Sequence, residues 1–442
     1  MKINNKITVA LMALGLVSVA SMANASTTYT DTGNVLGGGA NVVYQEVYVT
    51  GSTAFRNNIE AILAATAANN GFFTGTGPTK TYGGGGSSKA MYAGIINDGS
   101  GTPFIVNCDF TGSEAGLSSL HSAAVTYAPD HSLAGAPAGN VNLPSTPSPA
   151  AFTNPTSGAA NVVAVPDLAL SDTSKAVSYS AGTALTAFGN VAIIPFEWVK
   201  GNYNNAGAKS TSWTDLANIA TWQLPYFLPA GSEVANYFTG KSADTQHVYL
   251  LGRNSGSGTR ANATCEAGLL PPASFNQYVP PGCTYVADAT GNPVLTYNNG
   301  VWAAGLPHSL GLGFEGWDSG ATVAATLGVD SSPGPFVTLG YVGLSDATTA
   351  LGLHAATVTL DGQAENDGNV INGSYPFWGY ENLYGQVTPT GDANQAANLL
   401  VTQIGAIFAA ETWPDANQDT AIDPNAMNCA KPGSGDTGYP SQ

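Results

Sequence analysis

Three times in this chain an apolar run of strand character passes straight into a Gly/Ser/Thr turn and then into a segment of helical character. Few folds outside the α/β class can satisfy that repeat. Val47-Tyr48-Val49 leads into Gly51-Ser52-Thr53-Ala54-Phe55-Arg56, and Phe104-Ile105-Val106-Asn107-Cys108 leads into Thr111-Gly112-Ser113-Glu114-Ala115-Gly116. The third case is Val248-Tyr249-Leu250-Leu251, followed by Gly252-Arg253-Asn254-Ser255-Gly256-Ser257-Gly258-Thr259-Arg260. In each turn glycines let amides converge, hydroxyls add donors and the helix start adds a partial positive charge, which together suit an anion. One such turn is an ordinary helix cap. Three of them can meet in one cleft, because open α/β sheets gather their ligands beyond the carboxyl ends of the strands.

The arginines sharpen this reading. The whole chain has three, and Arg253 and Arg260 bracket the third turn while Arg56 closes the first. Each supplies a planar, permanently charged fork that matches phosphate or carboxylate. The rest of the chain is strongly acidic, with a formal net charge of −17. That balance argues against nucleic acid or an anionic membrane as partner, since both need basic patches. An anion would have to be held locally, by backbone dipoles and one or two arginines in a water-poor cleft.

The first residues, Met1-Lys2 and Lys6, an apolar run over 7–19, and Ala23-Asn24-Ala25 before Ser26, read as a secretory signal peptide spanning 1–25. Cleavage after Ala25 predicts a periplasmic or secreted protein, with no cysteine at the cut to carry a lipid anchor. Four cysteines, Cys108, Cys265, Cys283 and Cys429, fit an exported chain and allow three pairings. Cys265 with Cys283 is favoured because the two flank a Pro-rich loop, which leaves Cys108 with Cys429. No Cys-x-x-Cys occurs, and the five histidines show no ligand spacing, so no metal or other cofactor is expected. Asp415-x-Asn417-x-Asp419-x-x-Ile422-Asp423 has the oxygen spacing of a calcium loop, but Thr420 and Ala426 occupy its glycine and final carboxylate positions, which favours a solvated acidic tail.

Along the chain, 26–43 reads as a leader, and Phe55, Ile59, Ile62, Leu63 and Thr66 share one helical face before Asn69-Asn70-Gly71. Residues 71–89, 133–160 and 271–300 read as loops or exposed insertions. Val162-Val163-Ala164-Val165, Val191-Ala192-Ile193-Ile194-Pro195-Phe196 and Val337-Thr338-Leu339-Gly340-Tyr341-Val342-Gly343 read as strands, and 213–222 as a short helix. Ala396, Leu399, Leu400, Ile404, Ile407 and Phe408 mark a long amphipathic helix. The alternation predicts an α/β class with largely parallel pairing.

These pieces occur in the order found in the PstS-type phosphate-binding proteins, the substrate-binding components of ABC phosphate importers, which the chain resembles. Gly51-Ser52-Thr53-Ala54-Phe55 is similar to that family's first phosphate loop, and Gly112-Ser113-Glu114-Ala115-Gly116 to its second. Asp167-Leu168-Ala169-Leu170-Ser171-Asp172 resembles its D-x-x-x-S-D strand end, and 253–259 its R-x-D-G-S-G-T loop. Leu339-Gly340-Tyr341-Val342 and Ser374-Tyr375-Pro376-Phe377 resemble its I-G-Y-V and S-Y-P-I segments. The resemblance implies a type 2 periplasmic-binding-protein fold, two α/β lobes with central mixed sheets joined by a two-strand hinge. One lobe would take 43–191 and 346–430, the other 192–345.

By the same resemblance, a phosphate or related oxyanion would be held by Thr53, Ala54, Ser113, Asp172, Arg253, Ser257, Gly258 and Thr259. An ionised Asp172 can only accept a hydrogen bond, so the ligand must bring a proton; phosphate has one at neutral pH and sulfate has none. An ABC permease in the inner membrane would be the partner. Two departures bear on selectivity. Ser255 stands where the family often has Asp, and Glu114 brings a carboxylate next to Ser113, which Arg260 would offset. Two other readings are an extracellular surface or matrix protein that keeps the fold without transport, and a secreted phosphate-ester hydrolase. The second finds no support, since no Ser/His/Asp pattern, metal cluster or G-x-S-x-G elbow is present.

Overall fold

The computed structural model describes residues 45–65, 67–74, 80–82, 89–120, 125–129, 161–175, 177–178, 184–201, 210–269, 277, 283–287, 293–297, 316–317, 319–328, 336–410 and 420–431. The chain enters with β1 (Gln45–Gly51) and α1 (Arg56–Ala64), and Asn70 takes a left-handed φ of 54° beyond the helix. β2 (Lys80–Tyr82) and β3 (Lys89–Ile95) pair antiparallel, and β4 (Pro103–Asp109) feeds α2 (Ser113–Ser119). β5 (Val125–Pro129) pairs with β6 (Asn161–Ala164), then come β7 (Leu168–Ser171) and the long β8 (Thr186–Lys200).

The next stretch comprises α3 (Thr211–Asp215), β9 (Asn218–Ile219), α4 (Leu224–Ala230), β10 (Ser232–Val234) and α5 (Asn236–Thr239). β11 (His247–Leu251) and α6 (Gly258–Glu266) follow, then a hairpin of β12 (Cys283–Ala287) and β13 (Pro293–Tyr297). The remainder is α7 (Gly320–Leu327), β14 (Phe336–Gly343), α8 (Leu344–Gly352), β15 (Ala356–Leu360), α9 (Asp367–Ile371), β16 (Trp378–Gly385) and α10 (Gly391–Ala410).

Twelve of these strands form one mixed sheet in the order β10-β11-β14-β8-β16-β7-β1-β4-β3-β2, with β15 beside β8 and β9 beside β15. Parallel pairing is confined to β4-β1-β7, β11-β14 and β15-β9, so the sheet is mixed rather than largely parallel. Among the parallel strands, β7 and β14 are buried at every residue and β1, β4 and β11 at all but their first, as expected where helices cover both faces. β8 links the two halves: 186–195 pair with β16, and 196–200 pair with β14. At that change of partner Trp198 packs on Tyr341 (5.5 Å) and Phe377 (5.7 Å), and Phe196 on Phe377 (5.2 Å). Such ring pairs contribute ~0.5–1.5 kcal/mol each beyond burial, so the junction is firmly packed.

The last described stretch, 420–431, crosses this junction from outside. Ile422 bridges Ile193, the Asn428 N–H donates to the Ile371 carbonyl, and Lys431 ends between α6 and β16, where it pairs with Glu266 and donates to the Trp378 carbonyl.

Several sequence expectations are corrected here. Residues 213–222 are not one helix: α3 stops at Asp215, β9 follows, and a 3-10 turn covers Thr221–Gln223. Trp213 is held by its Nε1–H on the Gly201 carbonyl (2.7 Å), and Asn218 and Ile219 are drawn into pairing with β15. The loops expected over 71–89 and 271–300 contain β2 and the β12–β13 hairpin, whose pairing is settled across strands and not by local pattern. Cys108 and Cys429 are free, buried thiols, so that proposed bridge is not formed. The side chain of Cys283, and with it the other proposed pairing, lies outside the described residues, as do the leader, all of 133–160, and Asp415, Asn417 and Asp419. Asp423 caps a short turn through the Asn425 N–H (2.9 Å). Among the described residues no helix is long and apolar enough to cross a membrane.

Candidate functional site

All three turns meet at one place. β1, β4 and β7 lie side by side and parallel, so their carboxyl ends point the same way. The Ser52 N–H donates to the Leu170 carbonyl and the Gly112 N–H to the Gly51 carbonyl, both at 2.8 Å, while Thr50 Oγ1 donates to the Asp109 carbonyl at 2.7 Å. The first turn is closed by the Phe55 N–H on Ser52 Oγ (3.3 Å), leaving Thr53 and Ala54 half-buried at its tip.

The arginine loop arrives from the other half of the sheet, off the end of β11. Asn254 Oδ1 accepts from the Gly256 N–H (3.1 Å), and Ser257 Oγ caps α6 by accepting from the Arg260 N–H (3.3 Å). Every residue of α6 is buried, Gly258 and Thr259 included. The Gly256 carbonyl accepts from the Glu114 and Ala115 amides, at 3.1 and 3.3 Å, so the loop sits directly on the start of α2. Asn262, on α6, donates through Nδ2 to the Asp172 and Gly258 carbonyls (2.8 and 3.1 Å), stitching the helix to the end of β7.

Asp172 lies at the centre of this arrangement. Its Oδ1 accepts from Ser113 Oγ at 2.6 Å, and its own N–H donates to Ser113 Oγ at 3.3 Å. Burial pushes its carboxyl up to about 6, against the opposing pull of the Ser113 hydroxyl and then of the Arg253 charge. Gly258 packs on the same group: a Cβ there would stand 1.5 Å from Asp172 Oδ1 and 2.6 Å from Ser113 Oγ. Ser113, Asp172 and Gly258 are in contact, with Ser257 next to Gly258 and the Arg253 charge acting on Asp172. Thr53, Ala54 and Thr259 lie on the same turns.

The two departures also find places. Glu114 is buried, and its Oε2 accepts from Ser178 Oγ at 2.8 Å, which anchors the chain beyond β7 onto α2. Ser255 is half-buried in its loop.

The sequence reading missed Asp346 and Asn262. Asp346 stands in the first turn of α8, where a Cβ on Gly320 would meet its Oδ2 at 1.8 Å and Arg253 Nη1 at 3.5 Å. Burial raises its carboxyl, while Arg253 and Arg56 pull it down, so two of the three arginines act on it. A fourth strand-to-helix junction, Gly343-Leu344-Ser345-Asp346, was the available signal. For Asn262 it was an amide one helical turn past Gly258.

Donors from three turns, the buried Asp172 acceptor and a nearby guanidinium suit recognition of a small oxyanion. Among the described residues no group of three or more His, Cys, Asp or Glu is placed to hold a metal ion.

No family model matches the chain, and no curated protein matches its sequence. Solved structures do. One is a Clostridium perfringens protein described as a phosphate ABC transporter substrate-binding protein, with bound phosphate. It has 12% identity and a TM-score of 0.42 over 86% of this chain and 99% of its own. An ABC-type phosphate transport receptor from Vibrio cholerae has 11% identity and a TM-score of 0.40, over 86% and 100%. PstS from Borrelia burgdorferi has 12% identity and a TM-score of 0.37, over 86% and 98%. The chain is an α/β protein with a mixed, open central sheet.

Proposed function

We propose that this chain is an exported solute-binding protein that captures phosphate or a related tetrahedral oxyanion between the two halves of its sheet, with no catalytic step. The observation that carries the reading is the convergence of three donor-rich turns on Asp172, a buried acceptor. The Thr53 hydroxyl, the Ala54 amide, and the Ser113, Ser257 and Thr259 hydroxyls donate to ligand oxygens. Gly258 admits close approach, and Arg253 balances the charge. Asp172 takes the proton that phosphate carries, and two facing anions would exclude sulfate.

In this reading, 43–191 with 346–430 form one lobe and 192–345 the other. They part and close by hinge motion about the two points where the chain crosses between them, within β8 and between β14 and α8. The Gly256 carbonyl must leave the Glu114 and Ala115 amides, and Ser113 must turn from Asp172, before an anion can take their place. Cleavage after Ala25 would deliver the protein outside the inner membrane, where an ABC permease would receive the ligand.

One feature favours a second reading, a surface or matrix protein that keeps the fold without transport. The donors of α2 and Ser113 are already spent on the chain's own acceptors. Calorimetric titration of the chain from Ser26 onward, dialysed free of anions, separates the two. Tight phosphate binding with no response to sulfate is expected, and a response to neither anion would leave the second reading.

A further inference from the structure

The carbonyl oxygen of Arg253 is enclosed on three sides. Arg260 Nη1 donates to it at 3.2 Å and Gln277 Nε2 at 3.0 Å. Gly316 fills the third side, with φ of +105°; a Cβ there would stand 2.3 Å from that oxygen and 2.5 Å from Gln277 Nε2. The amides on either side are fixed as well, because the Trp317 N–H donates to the Gly252 carbonyl (2.9 Å) and the Asn254 N–H to the Trp317 carbonyl (2.8 Å). Arg253, Arg260, Gln277 and Trp317 are all buried.

This enclosure has a physical purpose. Glycines at 252, 256 and 258 leave the loop many backbone conformations, and an arginine side chain carries about 2 kcal/mol of rotamer entropy. A guanidinium is preorganised only if the backbone beneath it is held. Arg260 directs its fork at that backbone. The Arg253 charge acts on the Asp172 carboxyl.

We propose that Arg260, Gln277 and Gly316 form a clamp on the Arg253 carbonyl, and that Arg260 is a positioning residue that fixes where the Arg253 guanidinium stands at the oxyanion site. The clamp's role in binding rests on the oxyanion reading; its effect on Asp172 does not. Arg260 therefore does more than offset the charge of Glu114. The connection between α6 and α7, which reads as an insertion in the sequence, reaches the site through Gln277 and Gly316.

The test uses the unliganded chain with Gln277→Leu, Arg260→Lys and, as reference, Arg253→Ala. The Asp172 carboxyl is titrated by carbon NMR, and phosphate affinity is measured by calorimetry. Gln277→Leu changes no charge, so an altered Asp172 midpoint must travel through Arg253. The midpoint is expected to rise towards that of Arg253→Ala, and affinity to fall about tenfold, with the circular dichroism spectrum unchanged. The clamp is overturned if Gln277→Leu and Arg260→Lys leave both quantities at wild-type values while Arg253→Ala moves them. It is equally overturned if Arg253→Ala leaves the midpoint unmoved, since no coupling then exists to preserve. A wild-type chain that binds no phosphate ends the oxyanion reading, yet the Asp172 titration still decides the clamp. If Gln277→Leu fails to fold, Gly316→Ala and Arg260→Lys give the same reading from the other two sides.

Discussion

Ser113 and Asp172 hold one another through two hydrogen bonds, the hydroxyl donating to Oδ1 at 2.6 Å and the Asp172 N–H donating back to the hydroxyl at 3.3 Å. One comes from the start of α2 and the other from the end of β7. The contact therefore fixes the acceptor of the site to one of its donors, and it opposes the burial that raises the Asp172 carboxyl.

Ser113→Ala removes that opposition. The Asp172 carboxyl should climb further above about 6, so that at neutral pH more of it is protonated and unable to accept the ligand's proton. A hydrogen bond to a charged group stabilises by ~1.5–3 kcal/mol, so phosphate affinity should drop about tenfold or more. Titrations at several pH values check this, with the loss smallest at high pH.

Gly258→Ala tests the close approach of the arginine loop. The added methyl would fall on Asp172 Oδ1 and close to Ser113 Oγ, so the paired Asp172 and Ser113 side chains must turn away or the start of α6 must shift. Overpacking of this kind costs ~1–3 kcal/mol of stability. Phosphate binding should be lost while the far-ultraviolet circular dichroism stays native.

The residues that converge here were legible because their chemistry is local. A strand, a glycine-bearing turn and a helix start can be read off neighbouring residues, which singled out the turns that carry Ser113 and Arg253, whereas Asp172 came from the family resemblance. What escaped depends on distant partners. β2 exists through β3, the β12–β13 hairpin through its cross-strand pairing, and β9 through β15, although none has a strong pattern of its own. The cysteines misled for the same reason: oxidation was read from number and compartment, yet Cys108 sits on β4 and Cys429 on the last described segment, against the Val370 carbonyl. Asn262 and Asp346 reach the site from helices, and their only local signals, a position one turn past Gly258 and a fourth strand-to-helix junction, say nothing of the partners they meet there.

Lys431→Met should cost ~3–5 kcal/mol, because it leaves the Glu266 carboxylate buried and unpaired. Burial already pushes Glu266 up to about 7 in spite of the Lys431 charge, and losing that charge should raise it further. Adding Glu266→Gln should recover part of the loss. Chemical denaturation of the single and double variants measures both effects.

Stability should increase as pH falls from 8 to 5. Burial raises Glu60 and Glu266 to about 7 from 4.5, and Asp172 to about 6 from 3.8. For a raised carboxyl the folded chain binds the proton more tightly than the unfolded one. The stabilisation is complete below the unfolded value and is lost as pH climbs through 6 and 7. Asp98 shifts downward but is exposed and weighs little. Thermal melts across this range check the sign, and Glu60→Gln should flatten the slope.

The central claim is that Asp172 accepts a hydrogen bond from the proton the ligand carries, and calorimetric titration of wild-type and Asp172→Asn chains with phosphate and with sulfate at neutral pH tests it most directly. Wild type should bind phosphate and ignore sulfate. Asp172→Asn, whose amide can donate as well as accept, should admit sulfate and lose discrimination by about a hundredfold. A wild-type chain that binds both anions alike, or a variant that still rejects sulfate, would contradict the account.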